Sequence, residues 1–230
     1  MTFLFAVAMA AAAPSAAAPC PNVVTPDALV CRALEAQKSG NSETAAQAFE
    51  EAAKASAEKD PATARMWAAA GNLWIEAGEP GKAALDLDRA LALPGLEAEQ
   101  RGEALLDRAR AAEAQNDLKT ARAKLNEAAA TISSDPFYWY FSAALAIREG
   151  DKGAAQTAIG KALSLAPSDP TILFEAGHVA HFLGKDDEAR SYWMRAAGSD
   201  PKGDIGRAAA KAIEMLGVTP SVKSEPQPPK

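Results

Sequence analysis

An eight-residue pattern recurs five times along this 230-residue chain. Each copy has an alanine, a large apolar residue four positions later, and a second alanine after three more. These offsets place the three side chains on one face of an α-helix, so each copy predicts a closely packed helix. The first alanines are 38, 38, 34 and 34 residues apart, a period typical of repeat proteins. The copies are Ala45-Phe49-Ala52, Ala83-Leu87-Ala90, Ala121-Leu125-Ala128, Ala155-Ile159-Ala162 and Ala189-Trp193-Ala196.

Two further signals follow the same period. A Gly or Asn lies five residues before each first alanine, where a preceding helix would end in a left-handed turn. A capping side chain followed by proline, a signature of helix N-termini, begins four of the five units, and Asp200-Pro201 precedes one more helix. Each unit is therefore predicted to contain a helix, a short turn and a second helix. The turn residues are Gly40, Gly78, Asn116, Gly150 and Gly184, and the helix starts are Thr25-Pro26, Asp60-Pro61, Asp135-Pro136 and Asp169-Pro170.

The composition agrees with helices and excludes several kinds of function. Alanine, the best helix former, accounts for 57 residues, whereas aromatic residues make up 6% of the chain, too few for an all-β protein. The net charge of −6 argues against a nucleic-acid partner, which requires clustered Lys and Arg. Acidic pairs such as Glu50-Glu51 are interpreted as solvated helix faces. No phosphate-binding loop or nucleophile elbow is present, so the sequence predicts neither an enzyme nor a cofactor.

The repeat resembles that of the tetratricopeptide repeat family, and the second unit carries the resemblance best. Trp67, Gly71, Trp74 and Gly78 precede Ala83, Leu87 and Ala90 in the family's spacing, with Trp in place of Tyr. The first and third units depart more, with Ala33 and Ala109 at the close-packing glycine position. All four tryptophans, including Trp139 and Trp193, fall on expected core positions of this register.

The resemblance implies an all-α, right-handed superhelical solenoid of about five helix-turn-helix repeats followed by a C-terminal capping helix. Terminal repeats of solenoids need a polar outer face, which a final helix would provide. Four prolines and few apolar residues in the last segment predict disorder. The predicted boundaries are 26–60, 61–95, 96–135, 136–169 and 170–202 for the repeats, 203–217 for the capping helix and 218–230 for the tail.

The N-terminus has the pattern of a secretory signal peptide over residues 1–18. Residues 3–13 form an apolar run, Pro14 ends it, and small residues follow. No Lys or Arg precedes the run, and an uncleaved N-terminus remains the alternative. The prediction is a periplasmic or secreted protein without a stable membrane anchor after cleavage.

A short extension, residues 19–25, would follow the signal peptide. Export would expose Cys20 and Cys31 to oxidising conditions, under which they are expected to form a structural disulfide. Two unpaired thiols are the alternative interpretation.

In the tetratricopeptide repeat family the first helices of the units line a concave surface, and the family register predicts which residues face it. An exposed aromatic cluster on this surface would mark a binding site, and acidic neighbours would favour a partner with some positive charge. The family's carboxylate-binding arrangement is not carried over, because Glu103 and Asp107 replace basic residues. The predicted groove residues are Arg65, Asn72, Glu103, Asp107, Arg110, Phe137, Tyr140, Phe141, Phe174, His178 and His181.

The main functional prediction is an exported scaffold that binds a protein or peptide segment in this groove, with envelope assembly as its setting. Phe137, Tyr140, Phe141 and Phe174 are expected to form one aromatic wall. A first alternative is a periplasmic small-molecule or metal-binding protein centred on His178 and His181. A second alternative is a cytosolic adaptor that keeps its N-terminus.

Overall fold

The computed structural model describes residues 20–218, which form eleven α-helices and, within that range, no strand. The predicted signal peptide and nearly all of the predicted tail lie outside the described residues. The helices are α1 (Pro26–Lys38), α2 (Ser42–Ala55), α3 (Pro61–Glu76), α4 (Pro80–Ala92), α5 (Ala98–Ala114), α6 (Leu118–Ile132), α7 (Pro136–Glu149), α8 (Lys152–Leu165), α9 (Pro170–Phe182), α10 (Asp186–Ser199) and α11 (Asp204–Val218).

The first ten helices form five antiparallel pairs stacked along the chain. The two helices of each pair pack on each other, and each second helix packs on the first helix of the next pair. Helix α11 continues the stack by packing on α10 and α9. This arrangement confirms the predicted solenoid of five helix-turn-helix repeats with one additional helix.

The recurring eight-residue pattern forms the core. All ten of its alanines are fully buried, and each large apolar residue between them is buried too. Small residues in the first helices allow close approach, because a Cβ on Gly71 would lie 2.5 Å from Leu87 Cγ and one on Gly177 would overlap the Trp193 indole. Alanine at the corresponding positions 33 and 109 is also fully buried.

Local signals set the helix ends as the sequence predicts. Gly40, Gly78, Gly150 and Gly184 have positive φ values, and Asn116 adopts the same left-handed conformation with φ 63°. These residues end the first helix of each pair. The side chains of Thr25, Asp60, Asp135 and Asp169 accept hydrogen bonds from backbone N–H groups in the first turns of α1, α3, α7 and α9.

One predicted core residue lies nearer the surface than expected. Trp67, Trp74 and Trp193 are buried, but Trp139 is only half-buried where two core clusters meet. Its indole N–H donates to the carbonyl of Ser133 at 2.7 Å, which holds the ring beside the α6–α7 turn. The neighbouring Tyr138 is buried instead.

The N-terminal extension is attached to the first helix at several points. Cys20 and Cys31 form a disulfide, with their Cα atoms 5.7 Å apart. The Arg32 guanidinium donates to the carbonyls of Pro21 and Val23 at 2.8 and 3.1 Å. Within the described residues, no helix has the length and hydropathy that crossing a membrane requires.

Candidate protein-binding groove

The first helices of units two to five, α3, α5, α7 and α9, line one side of the solenoid. Helix α3 packs directly on α5, and α7 packs directly on α9. The backbones of α5 and α7 lie farther apart, and a cavity opens between them, although side chains of both helices join one buried cluster. Three neighbouring cavities follow this row of helices, and we call them together the groove.

The first cavity lies between α3 and α5 and is lined by both polar and apolar side chains. It measures about 490 Å³. Asn72 donates to Asp107 at 2.8 Å across the two helices, and Arg110 donates to the other oxygen of Asp107 at 2.8 Å. Burial, followed by the neighbouring carboxylates Glu99, Asp107 and Asp135, raises the pKa of Glu103. A local excess of negative charge therefore marks this end of the groove.

The central cavity occupies the cleft between α5 and α7 and measures about 580 Å³. Phe137 is 45% exposed, and its ring makes an edge contact with Tyr140 at 6.4 Å between centroids. Burial, and next the Glu175 carboxylate, raise the pKa of Tyr140. Most of the remaining wall is apolar. The lining comprises Ile75, Leu106, Arg110, Glu113, Ala114, Phe137, Tyr140, Phe141 and Ala144.

The third cavity, of about 520 Å³, lies between α7 and α9 and carries the two histidines. His178 Nδ1 lies 3.3 Å from the carboxylate of Glu175, which is buried. His181 Nδ1 lies 2.7 Å from Asp186 at the start of α10. Each imidazole therefore has its own carboxylate partner.

The three cavities form one path because they share lining residues. Leu106 lines both the first and the central cavity, and Glu113 and Ala144 line both the central and the third. Packed helices are about 8–10 Å apart, so four first helices span roughly 30 Å. An extended peptide rises about 3.3 Å per residue, so about nine residues would fill this length.

Two predicted members of the aromatic wall are placed differently. Phe141 is 9% exposed, because it packs into the core with Leu145 and shows only part of its ring to the central cavity. Phe174 lines none of the three cavities. Its ring lies 4.4 Å from the His178 imidazole, and its carbonyl accepts the Trp193 indole N–H at 3.0 Å. Phe137, Tyr140 and part of Phe141 therefore share the central cavity, and the inclusion of Phe174 in one aromatic wall stays a prediction.

Other predicted groove residues lie in the cavities, with partners that the sequence did not reveal. Arg65 lines the first cavity and reaches the carbonyl of Gly95 at 3.5 Å. Arg148 and Phe182, which line the third cavity, were missed. Phe182 directly follows His181, a predicted groove residue, and this adjacency was its only signal.

The positions of the potential ligand atoms give little support to the metal-binding alternative. Among residues 20–218, one group of three potential ligands has its ligand atoms within 4.8 Å of one another, namely Cys20, Cys31 and Glu35. Both sulfurs of that group are already joined in the disulfide. His178 and His181 belong to no such group within the described range.

The tetratricopeptide repeat profile matches residues 32–97 and 143–204, which together make up more than half of the chain. The protein therefore belongs to the tetratricopeptide repeat family. The intervening residues, 98–142, fall outside the match. They contain Leu106, Phe137 and Tyr140, which line the central cavity.

Solved structures agree with this fold at low sequence identity. The chain is similar to MamA (20% identity, 77% of this chain and 92% of that chain, TM-score 0.60). It is also similar to PilW, described as a type IV pilus biogenesis factor (20%, 80% and 82%, 0.66), and to YrrB, described as a protein with an unusual peptide-binding site (17%, 80% and 91%, 0.56). At these identities the likeness shows the fold alone. None of the curated proteins matches this chain in sequence.

Proposed function

We propose that the protein is a non-catalytic scaffold that binds an extended segment of a partner protein along the groove. The observation that carries this proposal is the central cavity, where an exposed Phe137 and the Tyr140 ring border an apolar cleft between two separated first helices. Exposed aromatic side chains in a concave apolar site are typical of binding hot spots.

The lining also indicates the chemistry of the partner. An apolar or aromatic side chain would bury its surface in the central cavity. A Lys or Arg of the partner could pair with Glu103 at the α3–α5 end of the groove. Arg110 does not neutralise Glu103, because it is already paired with Asp107. The proposed partner segment therefore combines an apolar anchor with a basic residue on one side of it.

Two structural neighbours support this proposal by analogy. The description of YrrB includes a peptide-binding site, and that of PilW includes a role in the biogenesis of type IV pili. A peptide-binding groove and a role at the cell envelope are both extended to this chain as proposals. The shared architecture makes such a use of the concave side reasonable.

A displayed library of short peptides, selected on the immobilised protein, tests the groove. The test compares the wild type with Phe137→Ala, and uses Leu165→Ala as the matched control. Leu165 is 46% exposed, close to the value for Phe137, and lies at the end of α8, outside the three cavities. Selected peptides are expected to carry an apolar anchor and to lose at least about tenfold in affinity for Phe137→Ala.

The outcomes separate the two parts of the proposal. Equal binding to wild type and Phe137→Ala would place the site on another face. Loss of binding in Leu165→Ala would likewise place the site outside the groove. If Glu103→Gln leaves the affinity for basic peptides unchanged, the charge preference is wrong while the groove itself stands.

We further propose that the protein is exported with removal of its first residues. The signal-like pattern of residues 1–18 supports this, and so does the Cys20–Cys31 disulfide, because disulfides persist mainly in oxidising compartments. Intact mass of the protein purified from its own cells tests the proposal. A mass of the full 230-residue chain would favour the cytosolic adaptor.

A further inference from the structure

A buried carboxyl group lies on the side of α4 that faces the first repeat. Asp86 is 2% exposed, which is unusual for an aspartate. Its Oδ1 accepts a hydrogen bond from Arg89 at 2.9 Å. Its Oδ2 is the one buried side-chain polar atom in residues 20–218 that lacks a hydrogen-bond partner. An unsatisfied buried oxygen is costly, so this atom needs an explanation.

The second carboxyl group at this place is Glu50 of α2, which the sequence assigned to a solvated helix face. Instead, one Glu50 oxygen accepts the Trp74 indole N–H at 2.8 Å, and the other accepts Lys54 at 2.5 Å. Lys82 lies over the Trp74 ring, 4.2 Å from its centroid. Glu50 therefore connects α2 to α3 beside the buried Asp86 of α4.

The two carboxyl groups influence each other strongly. Burial, followed by the charge of the nearby Glu50 carboxylate, raises the pKa of Asp86 to about 7. Burial also acts to raise the pKa of Glu50, but hydrogen bonds from Lys54 and Trp74 outweigh it and lower that pKa. A proton on Asp86 Oδ2 would be donated to Glu50, which gives the unsatisfied oxygen a partner.

The other charged groups around Asp86 are engaged elsewhere. Helix α5 also packs on α4, but its Arg108 pairs with Asp88 at 2.8 Å and its Arg101 donates to the Leu91 carbonyl at 2.9 Å. On α4 itself, Arg89 is the cation paired with Asp86. This single ion pair does not offset burial and the Glu50 charge.

We propose that Asp86 and Glu50 form a proton-operated latch between the first two repeats, closed when they share a proton and loosened when both are ionised. Helix α3 lies between the latch and the groove, with Trp74 on one side and Asn72 on the other. This inference goes beyond the proposed function and holds whether or not the groove binds a peptide.

The sign of the pH dependence follows from linkage. The pKa of Asp86 is higher in the folded protein than its ordinary value of 3.8, so the folded state keeps a proton that the unfolded state releases. The contribution of Asp86 is fully present below about pH 4 and is lost as the pH rises through about 7, whereas the lowered pKa of Glu50 acts in the opposite direction at acidic pH. Above that pH the contribution is absent.

Thermal unfolding of the full chain between about pH 5 and about pH 8.5 tests the latch, with Asp86→Asn and Asp88→Asn compared with the wild type. The amide of Asp86→Asn can donate to Glu50 at every pH. The Tm of this variant is therefore expected to fall less than that of the wild type as the pH rises. Asp88→Asn changes an exposed aspartate on the same helix and should keep the wild-type slope.

Two outcomes would overturn the proposal. One is a wild-type slope that Asp86→Asn reproduces. The other is an Asp86 carboxyl resonance, observed by ¹³C NMR of the wild type, that titrates at its ordinary value. Should Asp86→Asn fail to fold, Glu50→Gln provides the second variant. It removes the like charge, so the Asp86 resonance is then expected to titrate at lower pH than in the wild type.

Discussion

Asn116 shows how one side chain can serve both a turn and a contact between repeats. It takes the left-handed conformation that glycine adopts at the other four turns between paired helices. Asparagine tolerates this conformation better than most residues. Its side-chain oxygen accepts a hydrogen bond from Arg148 of α7 at 2.9 Å. The hydrogen bond between Asn116 and the next repeat therefore explains why this turn has asparagine rather than glycine.

Glycines in the helices differ sharply in what surrounds them, and this difference can be tested. Gly177→Ala is expected to destabilise the protein by about 1–3 kcal/mol, because its Cβ would overlap the Trp193 indole. Gly160→Ala on α8 has open space around the new Cβ and should stabilise the protein by about 0.5–1 kcal/mol. Urea unfolding compares the two. Similar effects of both substitutions would contradict the close approach of α9 and α10.

Side chains join α5 and α7 in a shared buried cluster and through Arg148, although the two backbones lie farther apart than those of α7 and α9. Arg148 of α7 donates to the carbonyl of Glu113 at 3.0 Å, forms an ion pair with the Glu113 carboxylate, and reaches Asn116. The central cavity opens beside this connection, since Glu113 lines it. The Arg148 contacts therefore add to the buried cluster that α5 and α7 share, at the edge of the open central cavity.

Replacing Arg148 should therefore loosen this junction without unfolding the repeats. Arg148→Ala is expected to cost about 0.5–1 kcal/mol, since the side chain is partly exposed to solvent. Hydrogen exchange should become faster at the C-terminal end of α5 and in residues 115–117. Lys161→Ala, an exposed site on α8, is the control and should leave exchange there unchanged. Unchanged exchange in Arg148→Ala would show that the arginine does not hold the junction.

The two ends of the described solenoid are protected in different ways. At the N-terminal end, the disulfide and Arg32 hold the extension against α1. At the C-terminal end, α11 buries Ala209 against α9 and α10 and exposes Arg207, Lys211 and Glu214. Solenoids need such caps because each repeat buries its apolar faces only against its neighbours.

Reduction of the disulfide should weaken the N-terminal cap. The bond closes a short loop, with a sequence separation of 11, and removing such a bond typically costs about 2–4 kcal/mol. The urea midpoint of the wild type is expected to fall on adding a reductant. A Cys20→Ser/Cys31→Ser variant should start from the lower midpoint and be insensitive to the reductant. A wild-type midpoint that the reductant does not change would show that the disulfide adds no stability.

Local chemistry in the sequence was sufficient to predict the repeat and its helices. Asp135 and Asp169 before proline, the left-handed turns and the alanine-rich pattern act within a few residues, so their spacing alone predicts the order of the elements. What depends on neighbours distant in the chain could not be predicted. Successive helical residues point about 100° apart, so Tyr140 reaches the groove while Phe141 packs mainly into the core. The burial of Asp86 beside Glu50 likewise requires two repeats to come together, because no signal within either helix specifies the other.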